Sequence, residues 1–590
     1  TFKSRIRRCF QLLIRINNKH LFNIMKKFWI GTFMLLCWIT SHLNAQEVTD
    51  LITFKQVDPF LKVLRESNFF PEFTDTVEVA KGENATFQFA VRSGLPLKDL
   101  QFDVTAFRSG QGASMNVSRK GFVNYVKEGR LTPELANDAI LSLSRYYPDP
   151  ICEEQNWSVE RDLTQPMWVT LPVPADAKEG CYRAEVTLKG LVGNKPFSFT
   201  REIYVKVYPV TIEKPSLWVT NWFTTADDKM KVFNGGKDVE PYSAEYWKMV
   251  GELASKLHEC YTNVILVSPL QHIEFSEKSG KYSFDYKNFD RFIDVFRQAG
   301  ALKMIEGGHI AARAGNWDSN FEAYVPEVDK DGNKKLVQYP INSEKASNFY
   351  RQFLPSLMSH LQKRGLKDIY VQHIADEPIE SNFKSYVEIA RFVKDICPDL
   401  KIIEACHTHN LENTVDIWVP QLNFYKDGYS FYQERQKAGD EVWFYTCLAP
   451  QGNFANRFLE LPSIKTRLIH WLNFRYGATG YLHWGFNFWK ENSDPYGETT
   501  TMNLESGNTL PGGDSWIVYP KNGKLYSSIR LEAMRDGIAD YTLLQMLAQK
   551  EPDLAKELCR QVVFHWTLYD TDGDHFRAIR HQILEKLSEK

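Results

Sequence analysis

The chain has 590 residues, more than one ordinary domain holds, so its length predicts two or three folded units, and we take two domains as the prediction. Hydrophobic residues make up 43% of the chain, charged residues make up 24%, and the formal net charge is -2. This balance is typical of a soluble globular protein and lacks the basic field that attracts polyanions, so we exclude nucleic acid as a partner.

The amino-terminal segment has the pattern of a targeting sequence. Residues 1–24 begin with Thr and are basic, and we interpret them as upstream translated sequence or an over-called start. From Met25 a basic start precedes an apolar run over residues 28–39 and a small residue, Ala45, which predicts a signal peptide over residues 25–45. The run is shorter than the roughly 20 residues of a spanning helix. We therefore expect an exported protein, periplasmic or secreted, without stable membrane insertion.

Residues 46–212 consist of short runs with alternating apolar and polar residues. Examples are residues 76–79, 86–91 and 197–207, and Gly, Pro, Asn and Asp separate them. This period of two with frequent turns predicts an all-β, immunoglobulin-like β-sandwich. Cys152 and Cys181 lie in this domain, and whether they pair in an oxidising compartment is left open.

From residue 213 to residue 550, strands alternate with amphipathic helices. Eight strands are predicted, at residues 217–223, 263–268, 303–308, 368–374, 401–406, 416–422, 441–447 and 480–484. Apolar residues at steps of three and four predict helices at residues 244–258, 289–299, 343–364, 382–396, 462–476 and 527–547. Eight βα units predict an α/β domain of the (β/α)8 TIM-barrel type. Residues 551–590 are predicted to form a helical extension packed on this barrel.

The fourth predicted barrel strand ends in an adjacent acidic pair, Asp376 and Glu377, followed by Pro378. Active sites of such barrels lie at the carboxyl ends of the strands. Two neighbouring carboxylates in a partly dry pocket do not ionise equally, so one is expected to keep its proton near neutral pH. The pair therefore suits glycosidic bond cleavage, and the alternative is that it only caps the helix that starts near Ser381.

Strands six, seven and eight have no carboxylate at their ends, where a retaining glycosidase usually has its nucleophile. This pattern favours a substrate that supplies its own 2-acetamido oxygen, while one carboxylate orients that group and the other protonates the leaving oxygen. Two alternatives stay open. One is a two-carboxylate mechanism on a sugar without an acetamido group, with Glu306 or Asp427 as the partner, and the other is a non-catalytic carbohydrate-binding surface protein.

Several side chains near strand ends are candidates for substrate binding: Tyr445, Asn423, Tyr425, Trp484, His373, Trp489 and Asp514. Tyr519 also follows Asp514 closely enough to reach the same pocket. His407 and His409 have a spacing that suits hydrogen bonding better than metal ligation, so we predict no metal and no cofactor. A run of charged residues is expected to form structural ion pairs: Arg530, Glu532, Arg535 and Asp536.

Over nearly all of the mature chain the sequence resembles glycoside hydrolase family 123. The resemblance lies in the Asp376-Glu377 pair, in residues 165–170 (QPMWVT), and in residues 513–520 (GDSWIVYP) followed by residues 528–537 (SIRLEAMRDG). It implies a β-N-acetylgalactosaminidase that uses the acetamido group, with Asp376 orienting that group and Glu377 as general acid/base. The implied partner is a glycan or glycolipid with a terminal N-acetylhexosamine. Galacto or gluco preference, exo or endo action and the oligomeric state are left open.

Overall fold

The computed structural model describes residues 50–490, 493–502 and 509–589. The predicted signal peptide and the residues before it lie outside this range. Within the described residues, no helix has both the length and the apolar character needed to cross a membrane.

The amino-terminal domain contains two packed β-sheets. Its strands are β1 (Ile52–Val57), β2 (Val77–Lys81), β3 (Asn84–Ser93), β4 (Leu97–Val104), β5 (Phe107–Ser109), β6 (Ser114–Met115), β7 (Arg119–Lys127), β8 (Tyr146–Cys152), β9 (Trp157–Val159), β10 (Thr164–Pro172), β11 (Gly180–Val192) and β12 (Lys195–Thr211). One sheet has the order β1-β3-β10-β7-β8, and the other has the order β2-β12-β11-β4-β9, with β5 and β6 at its side. All pairs are antiparallel except β12 with β2. This confirms a β-rich first domain, and its immunoglobulin-like character stays a prediction.

Alternating burial explains why these runs form strands. In β11 the side chains of Tyr182, Ala184, Val186 and Leu188 are buried, and those between them are largely exposed. Gly82 makes the turn into β3 with a φ of 86°, and a Cβ there would lie 2.1 Å from the carbonyl oxygen of Ile212. Cys152 is buried, Cys181 is exposed, and both are free thiols.

The second domain contains eight parallel strands in one sheet. In chain order they are β13 (Trp218–Asn221), β14 (Val264–Leu266), β17 (Met304–Gly307), β21 (Tyr370–Gln372), β22 (Lys401–Cys406), β23 (Ile417–Pro420), β24 (Glu441–Tyr445) and β25 (Gly480–His483), with the antiparallel strands β15 (Glu274–Lys278), β16 (Lys281–Asp285), β18 (Ala311–Arg313), β19 (Phe321–Val328) and β20 (Lys334–Tyr339) inserted between them. The sheet order is β13-β25-β24-β23-β22-β21-β17-β14. Asn263 bridges the two end strands, because its N–H donates to the Val219 carbonyl (3.0 Å) and its Oδ1 accepts from the Val219 N–H (3.0 Å). All eight predicted strands are confirmed, and the barrel is nearly closed.

Twelve helices surround and follow the barrel in the part of the chain that the structure describes. They are α1 (Asp227–Phe233), α2 (Ala244–Glu259), α3 (Pro269–His272), α4 (Lys287–Gln298), α5 (Glu344–Lys363), α6 (Phe383–Ile396), α7 (Leu422–Asp427), α8 (Tyr429–Ala438), α9 (Ser463–Tyr476), α10 (Ile529–Lys550), α11 (Pro552–Val562) and α12 (Gly573–Ser588). The side chains of Ser243, Ser343 and Ser528 cap α2, α5 and α10 by accepting a backbone N–H three residues on. Short hairpins complete the fold: β26 (Thr501–Met502) with β27 (Thr509–Leu510), β28 (Tyr519–Lys521) with β29 (Lys524–Tyr526), and β30 (Val563–His565) with β31 (Leu568–Tyr569).

The carboxyl-terminal helix α12 contacts both domains and not the barrel alone. Arg580 donates to Glu83 of the sandwich (2.6 Å) and pairs with Asp540 of α10 (2.7 Å). His581 of the same helix lies 3.2 Å from the Tyr208 hydroxyl of β12. The predicted extension therefore joins the sandwich to the barrel.

Candidate active site

The acidic pair lies where the fourth barrel strand, β21, meets the loop before α6. Glu377 has a φ of 48°, a left-handed conformation that costs energy for a residue with a side chain. Its N–H donates to the carbonyl of Ala405 (3.1 Å) on the neighbouring strand β22, which fixes the turn. Pro378 follows directly and has no backbone N–H to donate. The adjacent carboxylates are thus held at the barrel mouth by backbone contacts on two strands.

Hydrogen-bond donors surround the Glu377 carboxylate. The Tyr445 hydroxyl donates to it, and His407 donates to Tyr445 (2.6 Å) and lies 3.3 Å from Glu377. Arg313 donates to the Glu377 carbonyl (2.7 Å). Burial alone would raise the pKa of Glu377, but the contacts with His407 and Tyr445 outweigh it and hold the pKa below its usual range.

Asp376 has fewer donors and more solvent. Its side chain is 48% exposed, and its Oδ1 lies 3.8 Å from Nε2 of His309. Partial desolvation and the neighbouring Glu377 charge raise the pKa of Asp376 to about 6. Below about pH 6 the free pair therefore holds its proton on Asp376 and not on Glu377. The predicted roles require the reverse during turnover, with the proton on Glu377 and with Asp376 ionised.

Beneath the pair lies a buried charged network on three neighbouring strands. His373 is fully buried between two carboxylates, with Nε2 2.6 Å from Glu306 and Nδ1 2.7 Å from Glu404. Glu404 also accepts from the backbone N–H groups of Ile374 (2.8 Å) and Ala375 (3.0 Å), directly before Asp376. The network thus positions the backbone that carries the acidic pair.

A cluster within this network, His309, His373 and Glu404, has the spacing of metal ligands, with its ligand atoms within 4.8 Å of one another. However, both ring nitrogens of His373 face carboxylates. Burial alone would lower the pKa of His373, but Glu404 and Glu306 raise it to about 10. Because both nitrogens already have carboxylate partners, we interpret the cluster as an ion-pair network.

The charge on His373 predicts a loss of stability at alkaline pH. Because the folded-state pKa is raised above the ordinary value of about 6.5 to about 10, its contribution is complete below pH 6.5 and is lost as the pH rises towards 10. We expect the thermal midpoint of the parent to fall more between about pH 7 and 9.5 than that of His373→Gln. The variant should be less stable at pH 7, since it leaves two buried carboxylates unpaired. Equal alkaline shifts in the two proteins would contradict the charged imidazole.

The structure brings some predicted site residues to the pair and places others elsewhere. Tyr445 contacts Glu377 directly, and partly exposed Trp484 lies at the end of β25, with its ring centroid 5.2 Å from that of Phe488. Asn423 is half-buried in α7. Asp514 is fully buried, with Oδ1 3.6 Å from His483, and desolvation raises its pKa to about 7.

Three other candidates lie in the core. The Tyr425 hydroxyl donates to the Tyr476 carbonyl (2.8 Å), and the Trp489 indole donates to the Val518 carbonyl (2.9 Å). His373 belongs to the buried network, so its place is under the site and not on its surface. Tyr519 likewise donates to buried Asp149 (2.6 Å) between the domains.

The two candidate nucleophiles of the alternative mechanism are not at the mouth. Glu306 is fully buried and accepts from the Thr220 hydroxyl (2.6 Å) and the Trp222 indole (2.9 Å). Asp427 is 63% exposed at the end of α7 and pairs with Lys426 (3.0 Å). Neither position favours a two-carboxylate mechanism.

Sequence reasoning missed Trp222, His309, Arg313, Trp317 and Glu404. Glu404 had a signal, since a carboxylate inside the apolar strand β22 must have a buried partner. Arg313 and Trp317 lie in an insertion between the barrel strands β17 and β21, where no periodic pattern predicts their position.

A cleft of about 1180 Å³ opens at the carboxyl ends of the first three barrel strands. Its walls include Thr224, Ser268, Gly308, His309 and Tyr324. Through His309 the cleft reaches Asp376. Its volume is slightly above the range of about 300–1,000 Å³ for small-molecule sites, so it accommodates a sugar.

A (β/α)8 barrel with a carboxyl pair at the end of its fourth strand, beside a sugar-sized cleft, defines a barrel enzyme of the glycoside hydrolase class. The sequence matches the catalytic domain of glycoside hydrolase 123 over residues 234–547 and the glycoside hydrolase 123 N-terminal domain over residues 69–190. The chain belongs to glycoside hydrolase family 123, which confirms the resemblance.

One solved structure shares the fold over nearly the whole chain. A family 123 glycoside hydrolase from Clostridium perfringens, described in a study of glycolipid glycan hydrolysis, has a TM-score of 0.68 at 16% identity and covers 91% of this chain and 97% of its own. The endo-beta-1,4-mannanase from Thermotoga petrophila has a TM-score of 0.33 at 12% identity, covering 56% of this chain and 78% of its own, and is too distant for further argument. No curated protein matches the sequence significantly.

Proposed function

We propose that this glycoside hydrolase removes terminal β-linked N-acetylgalactosamine from glycans or glycolipids by a substrate-assisted, retaining mechanism. The observation that carries the proposal is the difference between the two carboxylates at the barrel mouth and the two that are buried beneath them. Asp376 and Glu377 face solvent, whereas Glu306 and Glu404 on the adjoining strands are engaged by His373. With those two engaged, the acetamido oxygen of the substrate is the nucleophile that remains.

The reaction has two steps. The acetamido oxygen attacks the anomeric carbon and the glycosidic bond breaks, while Glu377 gives its proton to the leaving oxygen. Asp376, ionised, accepts the acetamido N–H and stabilises the positive oxazolinium. Water then attacks the same carbon, Glu377 takes a proton from it, and the oxazolinium ring opens with net retention of configuration.

Substrate binding supplies the proton distribution that the free site lacks. An acetamido N–H donated to Asp376 favours its anion, and that new charge beside Glu377 raises the affinity of Glu377 for a proton. The proton of the pair thus moves from the orienting residue to the acid only when an acetamido sugar is bound. A sugar with a 2-hydroxyl group also lacks the attacking oxygen.

The proposal has two further parts, the substrate class and the location of the enzyme. The glycolipid substrate class is suggested by the description of the similar Clostridium perfringens enzyme. Export to the periplasm or the medium is suggested by the pattern of residues 25–45.

A panel of three chromogenic substrates tests the mechanism: the β-linked N-acetylgalactosaminide, N-acetylglucosaminide and galactoside with one shared leaving group. We expect kcat/KM to be highest for the N-acetylgalactosaminide and at least about 100-fold lower for the galactoside, which has no internal nucleophile. Cleavage of the galactoside alone would refute the mechanism. A preference for the N-acetylglucosaminide would keep the mechanism and change the sugar.

A further inference from the structure

Trp317 is an exposed aromatic side chain beside the proposed acid. It is 48% exposed. Its ring centroid lies 6.2 Å from that of His407, which contacts Glu377. The Arg313 guanidinium lies 3.8 Å from the Trp317 ring centroid and donates to the Glu377 carbonyl. The Arg313 side chain therefore links the Trp317 indole to the catalytic turn, that is, the turn that carries Asp376 and Glu377.

The backbone of Trp317 is held firmly. Its carbonyl accepts from Arg313 Nε (2.9 Å) and from Nδ2 of buried Asn382 (3.1 Å). Asn316 fixes the next turn, since its Oδ1 accepts from the Asp318 N–H (3.1 Å) and the Ser319 hydroxyl (3.0 Å). An exposed tryptophan would ordinarily be mobile. Here the loop presents it in one position, which lowers the entropy cost of stacking a ligand on it.

The position of Trp317 relative to the pair gives its role. The Asp376 carboxylate lies 3.8 Å from His309, which lines the large cleft. The Glu377 carboxylate lies 3.3 Å from His407, whose ring is the neighbour of Trp317, and the Glu377 carbonyl accepts from Arg313. The acid must contact the oxygen of the leaving group, so the sugar attached to that oxygen lies on the Glu377 side. Resting on the proposed function, we propose that Trp317 is the stacking platform for the first hexopyranose of the leaving group and so determines specificity for a sugar aglycone. Aromatic rings with one open face bind the apolar face of a pyranose.

The test compares two substrates with the same N-acetylgalactosaminyl group. One is a disaccharide with a hexose as leaving group, and the other is the β-fluoride, whose leaving group is too small to reach Trp317. In Trp317→Ala the ratio of kcat/KM for the disaccharide to that for the fluoride should fall about ten-fold, whereas Trp317→Phe should keep most of the ratio. Phe564→Ala is the matched control, because Phe564 is 49% exposed in a hairpin of the carboxyl-terminal extension and should leave the ratio unchanged.

The outcomes separate the two proposals. If the parent cleaves both substrates and the ratio in Trp317→Ala equals that of the parent, the platform is refuted and the proposed function stands. An equal fall on both substrates also refutes it, since that result indicates a disturbed catalytic turn. If the parent cleaves neither substrate, the proposed function fails and the platform fails with it. Thermal midpoints of the variants confirm folding.

Discussion

Replacing Glu377 by Gln is expected to lower kcat/KM for a disaccharide substrate by about 10²–10⁴-fold, which is the usual contribution of general acid–base catalysis. The amide occupies nearly the same volume and still accepts from Tyr445, so the turn should keep its structure. With a good leaving group, such as nitrophenol, bond cleavage needs less proton donation and the loss should be smaller. Steady-state kinetics on both substrates measure this difference.

The pH profile adds a second readout. In the parent, kcat/KM for the disaccharide should fall above about pH 6, because the proton that the free pair holds leaves Asp376 with a pKa of about 6. In Glu377→Gln, activity on the nitrophenyl substrate should no longer fall there, since ionised Asp376 is the form that orients the acetamido group. Glu380→Gln is the control. Glu380 lies three residues after Glu377, outside the pair, and its carboxylate accepts a hydrogen bond from Asn410 (2.9 Å). Unchanged kinetics in Glu377→Gln would remove the acid role from this residue.

Replacing Asp149 by Asn is expected to lower the free energy of unfolding by about 3–5 kcal/mol, the cost of leaving a buried charge without its partner. Asp149 of β8 accepts from Arg530 of α10 at 2.9 Å and 2.7 Å, and both side chains are buried between sandwich and barrel. The nearby cation of Arg457, whose pKa burial lowers to about 9, adds to the uncompensated positive charge. Urea unfolding at neutral pH measures the loss.

The control is an exposed ion pair of similar length. Arg183 and Glu202 lie 2.7 Å apart with 57% and 44% of their side chains exposed, so Glu202→Gln should cost less than about 1 kcal/mol. If Asp149→Asn costs no more than this control, the buried pair does not hold the two domains together.

The sequence showed those features that depend on local pattern. Alternation with a period of two identified the sandwich strands, and apolar steps of three and four identified the helices. The position of Asp376 and Glu377 after the fourth strand was predictable, because the strand, the acidic pair and Pro378 follow one another in the chain. The expected ion pairs of Arg530 and Glu532 were also correct, although their sandwich partners Asp149 and Arg119 were not predictable.

Only the tertiary structure decided which residues contact the pair and which charge each member carries. Tyr425 and Trp489 follow strand ends in sequence, but helix and loop packing turns them into the core. Arg313 reaches Glu377 from a position 64 residues earlier, through an inserted hairpin. A pKa depends on the distances to donors and charges brought together by folding. The sequence therefore determined that two carboxylates share a site, and the fold determined that Asp376 has the higher pKa of the two in the free site.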